Sequence, residues 1–294
     1  MVYKIGSRGQ IVKDIQEVVG SGADGIFGPA TAEAVKKWQR ENKLNADGIV
    51  GPATLEAMDL LDTDVSEQTY TTENGLVIHQ HFLPRGEYLD GPTKKEYCFL
   101  HHTAGWHNPY KCIDSWGRDS RGRIATEFVL GGGSVKGNDD TYDGEMVQAF
   151  PEGGYGWHLG KNGSQYMHKH SVAIEICNFG YVKNWKTYAG TTVAESQKVE
   201  LPQAFRGYKT WHRYSDKQIE ATRKWILFIA ERDNIDVRDG LQKWIKAEGV
   251  KAFDWKEDAY YGRVKGLLTH TNTRKDKTDL FPQPELMDMI LSLW

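Results

Sequence analysis

The sequence predicts a small all-α unit followed by a larger α/β domain. Three observations support this: an internal repeat near the N-terminus, a polar stretch after it, and a different hydrophobic pattern from residue 76 onward. At 294 residues the chain exceeds the usual size of one domain, so two cores are expected. We place the helical unit at 1–62, a linker at 63–75 and the α/β domain at 76–294.

The helical unit is built on a repeated segment. Residues 24–35, DGIFGPATAEAV, return as residues 47–58, DGIVGPATLEAM. Each copy has a glycine-rich turn, then Gly-Pro with the proline near the first helical turn, then an amphipathic pattern. Apolar residues with helical spacing lie around the first copy: Ile11, Ile15, Val18, Ala34, Val35, Trp38 and Leu44. The repeat therefore predicts a three-helix unit.

Composition excludes several classes of protein. A net charge of -3 with 26% charged residues gives no positive surplus for binding nucleic acid. We find no apolar signal segment at the N-terminus and no run long enough to span a membrane, so we expect neither secretion by a signal peptide nor membrane insertion. Three cysteines without CxxC spacing fit a reducing compartment, with Cys98 and Cys177 as small core residues.

The larger domain mixes strand and helix patterns. Short apolar runs rich in β-branched and aromatic residues predict strands at 76–78, 97–100, 128–130, 146–150 and 172–176. A helix is predicted at 215–233, where Ser215 and Gln218 form a capping box ahead of an apolar face. The domain is therefore α/β, with its chemistry expected at strand ends and in loops.

Two histidines and an aspartate form a candidate zinc site. His101 and His270 each directly follow an apolar strand-like run. The loop after His270 is long enough to turn back, so that the carboxylate of Asp279 meets the same metal; Asp276 is a rival in that loop. Two imidazoles and one carboxylate leave an open coordination position, as in a hydrolytic zinc site.

Three neighbouring residues complete this hypothesis. Glu175 lies in an apolar run, so it either faces water by alternation or serves as a general base that passes a proton to a leaving amine. Lys277 is placed to donate to a developing oxyanion. His102 points away from His101 if the strand continues, so only one of the pair should bind metal.

The helical unit resembles the peptidoglycan-binding domain type 1, a three-helix wall-anchoring module, over residues 6–60. The shared motifs are GIFGPAT at 25–31, VKKWQ at 35–39 and GIVGPAT at 48–54. The resemblance implies that this unit binds bacterial peptidoglycan.

Residues 95–285 resemble the type 2 N-acetylmuramoyl-L-alanine amidase family. The motifs of this family occur in order: FLHHTA at 99–104, WHLG at 157–160 and SVAIE at 171–175, followed by His270 with KTD at 277–279. The resemblance implies a central mixed sheet flanked by helices and hydrolysis of the amide between N-acetylmuramic acid and L-alanine. It also implies a role for each matching position: Zn²⁺ ligands His101, His270 and Asp279, general base Glu175 and oxyanion donor Lys277. Trp157 and His158 are candidates for binding substrate in the cleft; the alternative is that His158 stabilises its turn beside a packed Trp157.

Three features depart from the family pattern. The loop after His270 is short, which leaves Asp276 open against Asp279. Glu127 stands where the family often has histidine and is a possible second acid near the site. An insertion at 181–213 is rich in aromatic residues, which either line a glycan or peptide groove or pack within the insertion. These residues are Trp185, Tyr188, Tyr208, Trp211 and His212.

The sequence therefore predicts a zinc amidase that acts on peptidoglycan as a monomer. Without a signal peptide, we expect a phage endolysin made in the host cytoplasm and acting on the wall after release; an autolysin or an injected effector would look similar. The alternatives in function are a peptidoglycan-recognition protein without catalysis, or a zinc wall peptidase.

Overall fold

The N-terminal part of the molecule is a three-helix unit, as predicted. The computed structural model describes residues 2–60, 68–91, 93–119, 121–160 and 164–293. The helices are α1 (Gln10–Val19), α2 (Pro29–Glu41) and α3 (Pro52–Ala57). Each of the last two begins with the proline of a repeat. Leu44 lies beyond α2, contrary to its predicted spacing, because the helix ends at Glu41 with Asn42 as its C-cap, and Lys43 turns with φ 59°.

A buried glutamine explains the first copy of the repeat. The side-chain amide of Gln16 donates to the Asp24 carboxylate at 2.9 Å, the Ile26 carbonyl at 3.1 Å and the Thr31 hydroxyl at 3.0 Å. Its oxygen accepts from the Gly25 N–H at 2.8 Å. The repeated residues therefore satisfy every hydrogen-bonding group of one buried amide.

The second copy repeats this network around Gln39. That amide donates to Asp47 at 3.2 Å, to the Ile49 carbonyl at 2.9 Å and to Thr54 at 3.2 Å, and it accepts from the Gly48 N–H at 2.9 Å. Both glutamines are buried. The two polar networks hold the glycine turns against the helices that precede them.

Removing one of these amides should destabilise the helical unit. Gln39→Leu leaves a buried N–H and carbonyl without partners, so we expect a loss of about 2 kcal/mol in local stability. Hydrogen exchange of peptides from residues 2–60 in the full chain measures this. Gln16→Leu should cost a similar amount, whereas Lys37→Ala on the exposed face of α2 should change stability by less than about 0.5 kcal/mol. Equal exchange in Gln39→Leu and the parent would contradict the role of the network.

The larger domain is organised around a seven-stranded mixed sheet. Its strands, in the order they lie side by side, are β1 (Thr69–Thr71), β2 (Val77–Gln80), β5 (Met146–Gln148), β4 (Phe128–Leu130), β6 (Ser171–Ile176), β3 (Tyr97–His102) and β11 (Gly266–Thr269). The β4, β6, β3 and β11 strands pair in parallel. The β1–β2 and β4–β5 pairs are antiparallel, and β2 pairs with β5 in parallel.

Helices cover both faces of the sheet. One face packs against α6 (Asp216–Arg232), α7 (Leu241–Glu248) and α10 (Pro284–Leu291). Residues from α4 (Pro109–Trp116), α5 (Gln165–Lys169) and α8 (Glu257–Tyr260) lie in the cores of the other face. A short helix, α9 (His270–Thr273), directly follows β11. The predicted fold class is confirmed, and the predicted capping box at Ser215 and Gln218 starts α6.

The insertion contributes two small hairpins. They are β7 (Val182–Lys183) with β8 (Lys186–Thr187), and β9 (Lys198–Phe205) with β10 (Tyr208–His212). Short 3₁₀ helices occupy Glu195–Gln197 and Gly249–Phe253. The three cysteines are free and buried. In the described part of the chain, no helix is long and apolar enough to cross a membrane.

Part of the segment predicted to be a linker belongs to the sheet. Residues 61–67 lie outside the described residues, but residues 69–71 form β1 and pair with β2, contrary to the prediction. Tyr70 is half-buried and packs against the main core, which explains why this otherwise polar segment joins the sheet. The division at 1–62, 63–75 and 76–294 stays a prediction.

Candidate functional site

Parallel pairing of three strands brings the candidate residues into one row. In the β3–β6 register His101 lies opposite Glu175, and in the β11–β3 register Thr269 lies opposite Leu100. His270 therefore follows next to His101. Because side chains alternate along a strand, His101 shares a face with Phe99, while His102 turns to the other face and lies 2.7 Å from the Tyr214 hydroxyl. Of this pair, His101 and not His102 belongs to the group of possible metal ligands found among the described residues, although both line the cleft. That only one histidine of the pair binds metal stays a prediction.

His101, His270 and Asp279 form a compact group of metal-ligand type. Their donor atoms all lie within 4.8 Å of one another. Asp279 Oδ2 is 2.9 Å from His270 Nδ1 and 3.4 Å from His101 Nδ1. The loop after α9 is closed by the Thr271 N–H, which donates to the Asp279 carbonyl. Two imidazoles and a carboxylate are the donor set of an open zinc site.

The rival carboxylate points elsewhere. Asp276 is mostly exposed and accepts hydrogen bonds from the guanidinium of Arg274. Asp279, in contrast, has its side chain largely buried beside both histidines. The structure thus brings Asp279, not Asp276, to the histidine pair.

Burial and neighbouring groups set the charges in this cluster. Burial lowers the pKa of His101 to about 4, although the Asp279 carboxylate opposes this shift. Burial alone would raise the pKa of Asp279, but His270 and His101 hold it well below its ordinary value. At neutral pH the cluster therefore contains a neutral imidazole at His101 and an ionised carboxylate, which are the protonation states that metal binding requires.

A hydrogen-bonded chain orients His101 from behind. His101 Nε2 lies 3.0 Å from His158 Nδ1, and His158 Nε2 lies 2.6 Å from the Ser171 hydroxyl, which donates to the His168 carbonyl. This direction of donation makes His158 a donor to Ser171 and an acceptor from His101. Nδ1 of His101 then carries a lone pair toward Asp279, the orientation a metal ligand needs. Both ring nitrogens of His158 are thus occupied by protein atoms.

The cluster opens into a cleft of about 670 Å³. Glu175, Lys277 and His158 line it together with the three residues of the cluster. Burial, followed by the Asp279 carboxylate, raises the pKa of Glu175 well above its ordinary value, a direction that suits a group exchanging protons near neutral pH. Within the described residues, Lys277 forms no ion pair. Trp157 is not brought to the cleft; it packs edge-on against the ring of His168.

Glu127 lies away from this cleft. Its carboxylate is buried and accepts from the Arg232 guanidinium at 2.7 and 3.2 Å and from Gln148 at 3.1 Å. Arg232 belongs to α6, on the opposite side of the sheet from His101. The acid considered near the site is instead held in a buried ion pair.

No sequence pattern indicated a role for Arg206, which lies in the turn between β9 and β10. Its guanidinium donates to the Lys275 carbonyl at 2.9 Å and to the Thr271 carbonyl at 3.4 Å. Both carbonyls belong to the segment between His270 and Asp279. The insertion therefore supports the loop that carries the carboxylate.

Each of the two parts of the chain matches a known protein family. The profile of a peptidoglycan binding domain matches residues 11–58. The profile described as N-acetylmuramoyl-L-alanine amidase matches residues 91–279, which is more than half of the chain. The chain belongs to this amidase family. No curated protein matches the sequence.

Several solved structures are similar to parts of the chain. A fused zinc-dependent amidase, peptidase and peptidoglycan-binding protein from Clostridium acetobutylicum is 33% identical over 25% of this chain and 37% of its own, with a TM-score of 0.20. A mutant endolysin from Bacillus subtilis is 18% identical, covering 54% and 79% of the two chains, with a TM-score of 0.34. The amidase AmiD from E. coli is 17% identical, covering 57% and 54%, with a TM-score of 0.31. The chain thus spans 37% of the length of the Clostridium protein.

The two aspartates give a direct test of the metal cluster. Asp279→Asn and Asp279→Ala remove an anionic donor, so Zn²⁺ affinity should fall by more than about 100-fold. Loss of a residue that only supports a metal ligand costs up to about 100-fold, and loss of a ligand itself should cost more. Asp276→Ala removes only an exposed ion pair and should change affinity by less than about threefold. Competition with a chromophoric chelator measures both. The reverse order of effects would exchange the two assignments.

Proposed function

We propose that this chain is a zinc-dependent amidase that hydrolyses the bond between N-acetylmuramic acid and L-alanine of the stem peptide. The observation that carries the proposal is the grouping of His101, His270 and Asp279 beside Glu175 in one cleft. Membership of the amidase family names the class of bond. The cluster fits Zn²⁺ because it combines neutral imidazole with an ionised carboxylate at one point.

His101, His270 and Asp279 would hold the ion, which supplies Lewis-acid polarisation of the scissile carbonyl when bound. Glu175 takes a proton from the attacking water and delivers it to the amine of L-alanine as the amide breaks. Lys277, free of ion pairs among the described residues, donates to the negative oxygen of the tetrahedral intermediate. His158 and Ser171 keep the ring of His101 in its binding orientation.

The helical unit fits this activity as a wall anchor. A peptidoglycan binding domain on the same chain raises the effective concentration of the cleft at an insoluble polymer. We propose that the protein serves as a phage endolysin, made in the host cytoplasm and acting on the wall as a monomer. The combination of the two domains supports this role.

Glu175 is the first residue to test. Glu175→Gln keeps the shape but removes the proton acceptor, so turnover should fall by about 100-fold or more with Zn²⁺ still bound. Glu145→Gln is a matched control, because Glu145 is a half-buried glutamate outside the cleft; its activity should stay within about twofold of the parent. Release of peptide from sacculi and zinc content measure the two effects. Full activity in Glu175→Gln would remove this residue from the mechanism.

The bond cut identifies the reaction. Digestion of purified sacculi should release stem peptides with a free L-alanine amino terminus, detected by mass spectrometry, and a chelator should abolish this release. Fragments cut between amino acids would indicate a wall peptidase instead. Binding to sacculi without any released peptide would indicate a recognition protein.

A further inference from the structure

Three tyrosines of the insertion form one side of the cleft. Tyr181, Tyr188 and Tyr208 line it together with the metal-ligand cluster, and we call them the tyrosine wall. The rings of Tyr181 and Tyr208 stack at 3.7 Å with 10° between their planes. Tyr188 stands edge-on to Tyr181 at 6.3 Å and is 74% exposed. An exposed ring next to a stacked pair offers apolar surface to a ligand without any further change in the fold.

The tyrosine wall is fixed relative to the metal-ligand cluster. Trp211, fully buried, contacts the edges of the Tyr181 and Tyr208 rings at 6.1 and 6.2 Å. On its other side Trp211 stacks on Phe281 at 4.5 Å, and Phe281 is two residues beyond Asp279. Rigid aromatic packing thus connects the wall to the segment that carries the carboxylate, so a ligand on the wall has a defined position in the cleft.

Charge distinguishes this side of the cleft from the rest. Of the described residues that line it, the insertion contributes the tyrosine wall alone, which is uncharged. The lining cations, Arg121 and Lys277, come from other segments, and Arg121 is paired with the lining carboxylate of Asp119. A stem peptide carries free carboxylates and gains most from cations, whereas a sugar ring is neutral and presents C–H groups that pack on the face of an aromatic ring. The wall therefore suits the sugar side of the bond.

We propose that the tyrosine wall binds the glycan strand of peptidoglycan, with a pyranose ring against Tyr188. This inference rests on the proposed amidase function, because the bond cut there joins a sugar to a peptide and both must lie in the cleft. The remaining aromatic residues of the insertion lie elsewhere. Phe205, Trp211 and His212 are buried, and Trp185 is exposed outside the cleft beneath Lys198.

Fluorine NMR on the full zinc-loaded chain tests the contact without turnover. The protein is labelled with 3-fluorotyrosine, and the Tyr188 resonance is assigned by its loss in Tyr188→Phe. Titration with peptide-free glycan fragments should shift this resonance to saturation, whereas free stem peptide should not. The proposal would be overturned if the resonance shifted with stem peptide and not with glycan fragments, or if it shifted with neither of them.

Kinetics with a soluble disaccharide-peptide report the same contact at the catalytic cleft. Tyr188→Ala should lower kcat/KM by about tenfold, mainly through KM, as expected for the loss of one aromatic contact. Trp185→Ala removes an equally exposed aromatic of the insertion outside the cleft and should stay within about twofold of the parent. Inhibition by glycan fragments should weaken in Tyr188→Ala, and inhibition by stem peptide should not. Equal losses in both variants would count against the wall.

The two proposals fail in different ways. A parent protein that releases no L-alanine amino termini, but whose Tyr188 resonance shifts with glycan, would lose the amidase function and keep the glycan contact. A parent protein that cuts the amide, but whose Tyr188 resonance ignores glycan, would keep the amidase function and lose the tyrosine wall.

Discussion

The parallel pairing of β6, β3 and β11 is the constraint on which the site depends. In that register Glu175 and His101 are direct neighbours, and His270 follows at the end of the next strand. A shift of one residue in either pair would turn a side chain to the opposite face of the sheet. The apolar residues that alternate with them, such as Leu100 and Ile174, are fully buried, so core packing fixes the same register that the chemistry needs.

The third donor of the cluster comes from a loop, and this loop needs support that the central sheet does not supply. The insertion provides it at two points: Arg206 holds carbonyls of the loop, and Trp211 stacks on Phe281 just beyond Asp279. An insertion whose strands lie outside the seven-stranded sheet is thus coupled to the position of a ligand. The same packing places the tyrosine wall beside the metal-ligand cluster. The insertion therefore both supports the loop and shapes the cleft.

The helical unit follows a different principle, because it has few residues with which to form a core. The side-chain amides of two buried glutamines, Gln16 and Gln39, each hydrogen-bond to the turn that follows them. The same residue types serve as partners in both copies of the repeat. Directional hydrogen bonds thereby supplement limited apolar burial. This accounts for the recurrence of aspartate, glycine and threonine at fixed positions in the two copies of the repeat.

Local pattern by itself determined the three helices, the main strands and the candidacy of His101, His270 and Glu175, because periodicity and strand ends are properties of neighbouring residues. It left Asp276 and Asp279 open, since only the closed loop brings one of them to the histidines. The sequence also could not predict the surroundings of Glu127, because its ion-pair partner Arg232 is 105 residues away. Nor could it predict which aromatic residues of the insertion are buried in the core and which line the cleft, because this depends on how the hairpins pack. Contacts between distant segments decided these points, and such contacts leave no mark in local spacing.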